Sequence, residues 1–379
     1  MGSLKFKAAY LVFICLVNFR WFSADGGYME LYLSNNFVNC KDLLTNKYPF
    51  IFGTGARGIG KTYGILSELI KILKATNRKF IYLRRTMSQV ELLLKPEFNP
   101  FKSINSDQNT DISPFKISKN SSGFYHSHLN EDNELVPEGS PIGYIFALST
   151  FFNLRSVDFS DVDYIFYDEF IPEEIEKKLR GEGEAFLNLL ETVGRNRELK
   201  GLPPLKVICM SNSNKLENAL YMTLNLVNIA TMMQEKDLEE YALEDRGIQL
   251  LMYMHSPISE QKKETSLYKM SEGTDFYGMA IDNKFTKDDQ SLVKKNVNIK
   301  EYIPIVIIGK LTILKHKRNN KYYVTMLPAG GCNKIFTTKD HDKDKFCCKY
   351  MYLYINYHDK LNVNFDSYET EINFRNLFN

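Results

Sequence analysis

The sequence predicts an α/β fold built on a largely parallel sheet, followed by a smaller, β-rich unit. Three observations carry this reading. Between Pro49 and Met210, apolar runs of strand length recur, nearly continuous in apolarity as in strands covered on both faces. Helical patterns lie between some of them, and strand–helix–strand alternation makes a parallel sheet. After about Asn225 the style changes, and from Gly273 it turns β-rich. A chain of 379 residues also has room for two or three domains.

The strand runs are Pro49–Thr54, Lys79–Leu83, Ile142–Leu148, Tyr164–Tyr167 and Lys206–Met210. Tyr63–Thr76 places Ile65, Leu66, Leu69, Ile70 and Leu73 at helical spacing, and Glu184–Val193 repeats the pattern. Residues 95–141 interrupt the alternation. There Phe115–Ser118 and Gly123–His126 flank the turn-forming SKNSSG and read as a hairpin insertion. His126 and His128 would share a strand face, and without a third ligand they read as a solvated edge. Residues 230–262 read as helical with an acidic middle, QEKDLEEYALED. The later runs FYGMAI, EYIPIVIIGKLTILKHK, KYYVTML and KYMYLYI read as β. The expected division is an extension over 1–28, an α/β domain over 29–225, a helical linker over 226–265 and a C-terminal domain over 266–379.

Hydrophobic content of 44% and charged content of 25% suit a globular chain with a substantial core. A net charge of +2 exerts no global pull on nucleic acid, so any such binding must come from local patches. Cys332, His341, Cys347 and Cys348 match no standard zinc spacing and read as free thiols. At the N-terminus, Lys5 and Lys7 precede AAYLVFICLV and then FSADGG, the outline of a secretory signal. The apolar stretch is short for a membrane span. We read residues 1–28 instead as a dispensable extension ahead of Met29, with no membrane partner.

The chemistry concentrates in Gly55-Ala56-Arg57-Gly58-Ile59-Gly60-Lys61-Thr62, a complete GxxxxGK[ST] between a strand and a helix. Glycine allows the backbone N–H groups to turn toward phosphate oxygens at close approach. The helix start adds unpaired amides and a positive dipole end. Lys61 neutralises β- and γ-phosphates, and the Thr62 hydroxyl is a hard oxygen suited to Mg²⁺. The implied ligands are ATP and Mg²⁺. A second acidic element follows about a hundred residues on, where YIFY ends in Asp168 and Glu169. Asp168 can hold the Mg²⁺ through water, and Glu169 can polarise the attacking water. The latter favours an ATPase over a small-molecule kinase. KVICM ends in Ser211 and Asn212, polar side chains suited to sensing the γ-phosphate. Arg195 and Arg197 follow the second helix, where an arginine on a subunit edge can reach a neighbour's ATP.

Together GARGIGKT (55–62), FIYLRR (80–85), YDEFI (167–171), NLLETVGRNRE (188–198) and VICMSN (207–212) resemble the DNA-packaging ATPases of small, protein-primed tailed phages, the encapsidation proteins of the phi29-like group. GTDFYGMAIDNKF (273–285) looks like the same family. The resemblance implies a P-loop NTPase of the additional-strand class, like terminases and the FtsK–HerA group. It implies a homo-oligomeric ring, expected to be pentameric, on the portal of a prohead in the host cytoplasm. That ring would drive viral double-stranded DNA inward with ATP. It assigns Arg195 to the neighbouring subunit's ATP, places Arg155 where the family has an important basic residue between the hairpin insertion and the acidic strand, and matches Arg57 within the loop. It also implies a C-terminal α+β domain like a ribonuclease-H-type nuclease without activity, contacting a structural packaging RNA. IPIVIIGKLTILK there reads as one strand, with Lys310 and Lys315 where a two-metal nuclease needs carboxylates. The basic stretch 315–321 reads as a hairpin tip able to touch nucleic-acid phosphates. The rival readings are another P-loop translocase or helicase, and a non-catalytic, nucleotide-gated adaptor that holds nucleic acid.

Overall fold

The computed structural model describes residues 30–378 apart from 75, 155–156, 174–175, 177–178, 214, 255, 275–276, 279–290 and 295–296. The N-terminal apolar stretch, Arg155 and most of 273–285 lie outside the described residues. The first half runs α1 (Cys40–Thr45), β1 (Phe50–Gly55), α2 (Lys61–Leu73), β2 (Lys79–Arg84), α3 (Met87–Leu93), α4 (Lys102–Gln108), β3 (Ile112–Ser118), β4 (Ser121–Leu129) and β5 (Leu135–Ala147). Next come β6 (Val162–Asp168), α5 (Glu182–Gly194), β7 (Lys206–Ser211), α6 (Ala219–Thr223), α7 (Val227–Glu235), β8 (Glu240–Leu243) and β9 (Ile248–Tyr253).

These strands form one nine-stranded sheet in the order β3-β4-β5-β2-β6-β7-β1-β9-β8. The six central strands, β5 to β9 in that order, run parallel, and antiparallel hairpins close both edges. The near-continuous apolarity of the central strands has a direct cause, because alternate residues feed two different cores. Phe52, Ile81, Leu83, Ile165, Tyr167, Val207 and Cys209 pack on one face. Ile51, Phe80, Tyr82, Phe166, Ile208 and Met210 pack on the other. The strand that follows the glycine loop in sequence, β2, is not its neighbour in the sheet. Instead β7 lies between β1 and β6, so the loop and the Asp168–Glu169 pair emerge from strands separated by one other.

Three local expectations need correction. The helical reading of 230–262 holds for Val227–Glu235, but Glu240–Leu243 and Ile248–Tyr253 are strands. IQLLMY is buried at every position, and β9 pairs with β1 from Phe50↔Ile248 to Gly55↔Tyr253. A short apolar run cannot be told from a buried helix by period alone. The run EYIPIVIIGKLTILKHK is two strands, β10 (Tyr302–Ile308) and β11 (Leu311–His316), because Gly309 turns at φ 55°. The short helices α8 (Ser259–Lys263) and α9 (Ser266–Met270) follow β9, and KYMYLYI, read as β, lies in the helix α10 (Asp340–His358). Phe346, Tyr350 and Leu353 are its buried residues, spaced as one helical face.

The C-terminal sheet has the order β13-β10-β11-β12-β14, with β12 (Tyr322–Thr325), β13 (Ile335–Phe336) and β14 (Val363–Phe365). Strands β10 to β12 are an antiparallel meander, and each edge strand is parallel to its neighbour. The final helix, α11 (Tyr368–Leu377), ties this unit to the large sheet. Its Tyr368 and Ile372 enter a core of the large sheet, while Phe374 and Leu377 enter the C-terminal core. Arg375 pairs with Glu217, and Asn228 Nδ2 donates to Glu369 at 3.0 Å. No described helix is long and apolar enough to cross a membrane.

Candidate nucleotide site

The glycine loop turns out of β1 through a series of left-handed residues: Gly55 at φ 95°, Ala56 at 26°, Gly58 at 77° and Gly60 at 75°. Gly60 caps α2 with no side-chain bond, so the first-turn amides of a 13-residue helix face outward from the loop. A Cβ on Gly60 would stand 2.8 Å from the Phe37 ring. Val38 donates its N–H to Ile59 O at 3.0 Å and pins the segment before α1 against the loop. Buried Lys61 folds back along the loop, its Nζ donating to Gly55 O at 2.5 Å and Ala56 O at 2.6 Å. Arg57 turns outward to an exposed ion pair with Glu173 at 2.6 Å, a contact that adds little stability.

Across β7, the carboxyl end of β6 delivers the acids to the same place. The Thr62 hydroxyl lies 3.2 Å and 3.3 Å from the two oxygens of Asp168. This pair of hard oxygens at a helix N-terminus has the chemistry to hold Mg²⁺ beside a triphosphate. Glu169 follows at φ 53°, a conformation few residues other than glycine adopt, at the strand-to-loop junction. Asn212 fixes its carboxylate with its Nδ2 at 2.5 Å and its backbone N–H at 3.1 Å; the Ser211 hydroxyl adds a bond of 3.3 Å. Ser211 and Asn212 therefore act on Glu169 directly.

Burial sets the electrostatics. It pushes the Lys61 ammonium down to about 8, against the opposing pull of Glu169 and Asp168. It raises Glu169 above the usual carboxylate value, and repulsion from Asp168 raises it further. A lysine that gains proton affinity when phosphate arrives, beside a carboxylate poised to accept a proton, suits phosphoanhydride hydrolysis.

The family description "Podovirus DNA encapsidation protein (Gp16)" matches residues 33–368. The chain belongs to this family. The DNA packaging protein of Bacillus phage phi29 is 26% identical over 278 residues, covering 73% of this chain and 74% of its own. That of Bacillus phage B103 is 28% identical over 260 residues, covering 68% and 71%. Among solved structures, the phi28 gp11 DNA packaging motor aligns with a TM-score of 0.63 at 19% identity, covering 90% of this chain and 96% of its own. A chain of the phi29 genome packaging motor assembly aligns at 0.60 and 20% identity, covering 90% and 97%. These two likenesses establish the shared fold.

In this encapsidation-family chain the two sequence-nominated arginines separate. Arg197 is drawn inward to the amino end of β6, bonding Val162 O at 2.8 Å and Asp163 at 2.5 Å. Arg195 is exposed at the end of α5. Two rulers place that end far from the acids. Val162 to Asp168 spans about 20 Å of strand, and the 13 residues of α5 span about 20 Å of helix. Arg195 therefore does not join Lys61, Thr62, Asp168, Glu169 and Asn212 within one subunit.

Sequence reasoning missed the residues that seat Asp168. The Tyr82 hydroxyl donates to its Oδ2 at 2.7 Å, and Arg84 pairs with it at 3.0 Å. Both sit on β2, and only the sheet order reveals that β2 borders β6. The next residue, Arg85, is fully buried and grips Glu182 at 2.7 Å and Glu176 at 2.6 Å. FIYLRR thus sends one arginine to the acid of the site and the next to the base of α5.

Proposed function

We propose that this chain is the ATP-driven motor that carries viral double-stranded DNA through the portal into the prohead. Family membership supports the packaging role. The observation that carries the ATPase reading is the meeting of Lys61, Thr62, Asp168 and Glu169 at one end of the sheet. ATP would lie along the loop from Gly55 to Gly60, with Lys61 leaving the Gly55 and Ala56 carbonyls for the β- and γ-phosphates. Mg²⁺, held by Thr62 and by Asp168 through water, would supply charge neutralisation. Glu169, held by Asn212 and Ser211, orients water and accepts its proton. Loss of the γ-phosphate then reaches β7 through that same grip.

Arg195 would act on the ATP of the adjacent subunit in a homo-oligomeric ring, which we take to be pentameric; its distance from its own site supports this. We read the C-terminal unit as a nuclease-type fold without activity, supported by its mixed sheet with helices against it. Lys317, Arg318 and Lys321 are exposed between β11 and β12, a basic tip suited to the phosphates of a packaging RNA or of DNA. The host cytoplasm is the compartment this role implies. The test is protection of genomic DNA from nuclease by proheads, ATP and the chain. Lys61→Ala should abolish both protection and phosphate release; retention of either overturns the site assignment.

A further inference from the structure

A second lysine reaches the loop from a part of the chain that the motif does not contain. Because β9 runs parallel to β1, with Tyr253 level with Gly55, the two strands release their next residues on the same side of the sheet. The segment after β9 therefore crosses the glycine loop, and Ile258 packs into the core beneath it. The short helix Ser259–Lys263 follows. Half-buried Lys262 donates its Nζ to Arg57 O. The lysine lies close over the loop: a Cβ on Gly58, which turns at φ 77°, would come 3.2 Å from Lys262 Cε.

Lys61 occupies the carbonyls of Gly55 and Ala56, and Lys262 occupies the next one, Arg57. The lysine of this motif reaches the β- and γ-phosphates. A row of three carbonyls capped by two ammoniums therefore marks the terminal-phosphate end of the cradle. We propose that Lys262 is a γ-phosphate ligand, which exchanges the neutral Arg57 carbonyl for a phosphate oxygen when ATP binds and returns when only ADP remains. The carbonyl offers the ammonium only a dipole, whereas a phosphate oxygen adds the attraction of an opposite charge, so the exchange favours the triphosphate. Burial and nearby Arg57 also hold its ammonium below the usual lysine range, a cost that an anionic partner removes. Lys262 would then report the terminal phosphate to the segment leading from β9 into the C-terminal sheet.

The inference rests on the nucleotide site proposed above, and one experiment separates the two. Equilibrium binding of ADP and of a non-hydrolysable ATP analogue is measured on the full-length chain and its Lys262→Gln, Lys262→Arg and Lys61→Ala variants. Lys262→Gln should weaken the ATP analogue roughly tenfold or more while leaving ADP within about twofold. Lys262→Arg, which keeps the charge, should restore most of that loss. Equal losses for both nucleotides would reduce Lys262 to a prop for the loop and overturn the proposal, as would no loss for either. If Lys262→Gln does not fold, Lys262→Arg with unchanged discrimination supports the proposal, and with discrimination lost it overturns it. Wild-type binding of both nucleotides by Lys61→Ala would sink the site itself, and this inference with it.

Discussion

The two ends of β6 carry opposite chemistry. At the carboxyl end, Asp168 and Glu169 stand beside an anion cradle, with the Glu169 carboxyl raised and the Lys61 ammonium lowered by burial. At the amino end, Asp163 is held by Arg78 and Arg197 in a closed ion-pair cluster, with Arg195 exposed just beyond it. At one end buried groups of both signs meet beside the glycine loop; at the other an ion-pair cluster closes on itself and an arginine lies exposed at the surface. The strand that separates them, about 20 Å long, bears directly on the proposed function: the proposed ATPase site gathers at one end and the arginine proposed to complete it stands at the other.

The largest expected effect tests that separation. Arg195→Ala should lower ATP turnover of assembled rings by about 10³-fold, the size of an arginine's contribution to phosphoryl transfer. Nucleotide affinity of the isolated subunit should stay unchanged. Mixed rings should lose activity out of proportion to the mutant fraction. A linear loss, or weakened binding by the isolated chain, would mean that Arg195 acts within its own subunit and would break the comparison.

The carboxyl end makes a smaller but more detailed prediction. Glu169→Gln should cost about 10²-fold in kcat with little change in nucleotide affinity. Its raised pKa also has a sign. Glu169 must be ionised to accept a proton, so kcat/KM should rise with pH through a value above the ordinary 4.5. Lys61 must be protonated to meet phosphate, so kcat/KM should fall as pH passes about 8. Glu169→Gln should flatten the acid limb and move the alkaline one to lower pH, because the Glu169 charge no longer supports the Lys61 ammonium. An acid limb that survives the substitution would assign the base to another group.

How much of this could be read in advance follows from the same contrast. Residues on a single loop or strand end, Gly55 to Thr62 and Asp168 with Glu169, were legible because their chemistry is local: a backbone that must turn and a helix that must start. Tyr82, Arg84 and Lys262 were not, because each reaches the site only through strand order, β2 beside β6 and β9 beside β1. The same blindness misread Ile248–Tyr253 as helix, since a fully buried strand carries no period. The heavily aromatic KYMYLYI looked like strand by composition, while the spacing of Phe346, Tyr350 and Leu353 was the signal that mattered.

The smallest effect belongs to Arg197, and it sharpens the distinction from its neighbour two residues away. Its bonds go to Val162 O and Asp163 within its own subunit, so Arg197→Ala should cost stability and spare intersubunit chemistry. Asp163 keeps Arg78 as a second partner, at 2.6 Å, and the cluster is partly exposed, so the loss should be about 1 kcal/mol in urea unfolding. The pH dependence follows from the same carboxylate. Burial pushes Asp163 up, but hydrogen bonds from Arg78 and Arg197 outweigh it and hold the carboxyl below its ordinary 3.8. Its contribution is therefore complete above the unfolded-state value and is lost as pH falls through the lower folded one. Removing Arg197 raises the folded value, so the acid-unfolding midpoint of the variant should move to higher pH. An unchanged midpoint together with a loss of ring turnover as deep as that of Arg195→Ala would give the two arginines one shared role across the subunit boundary.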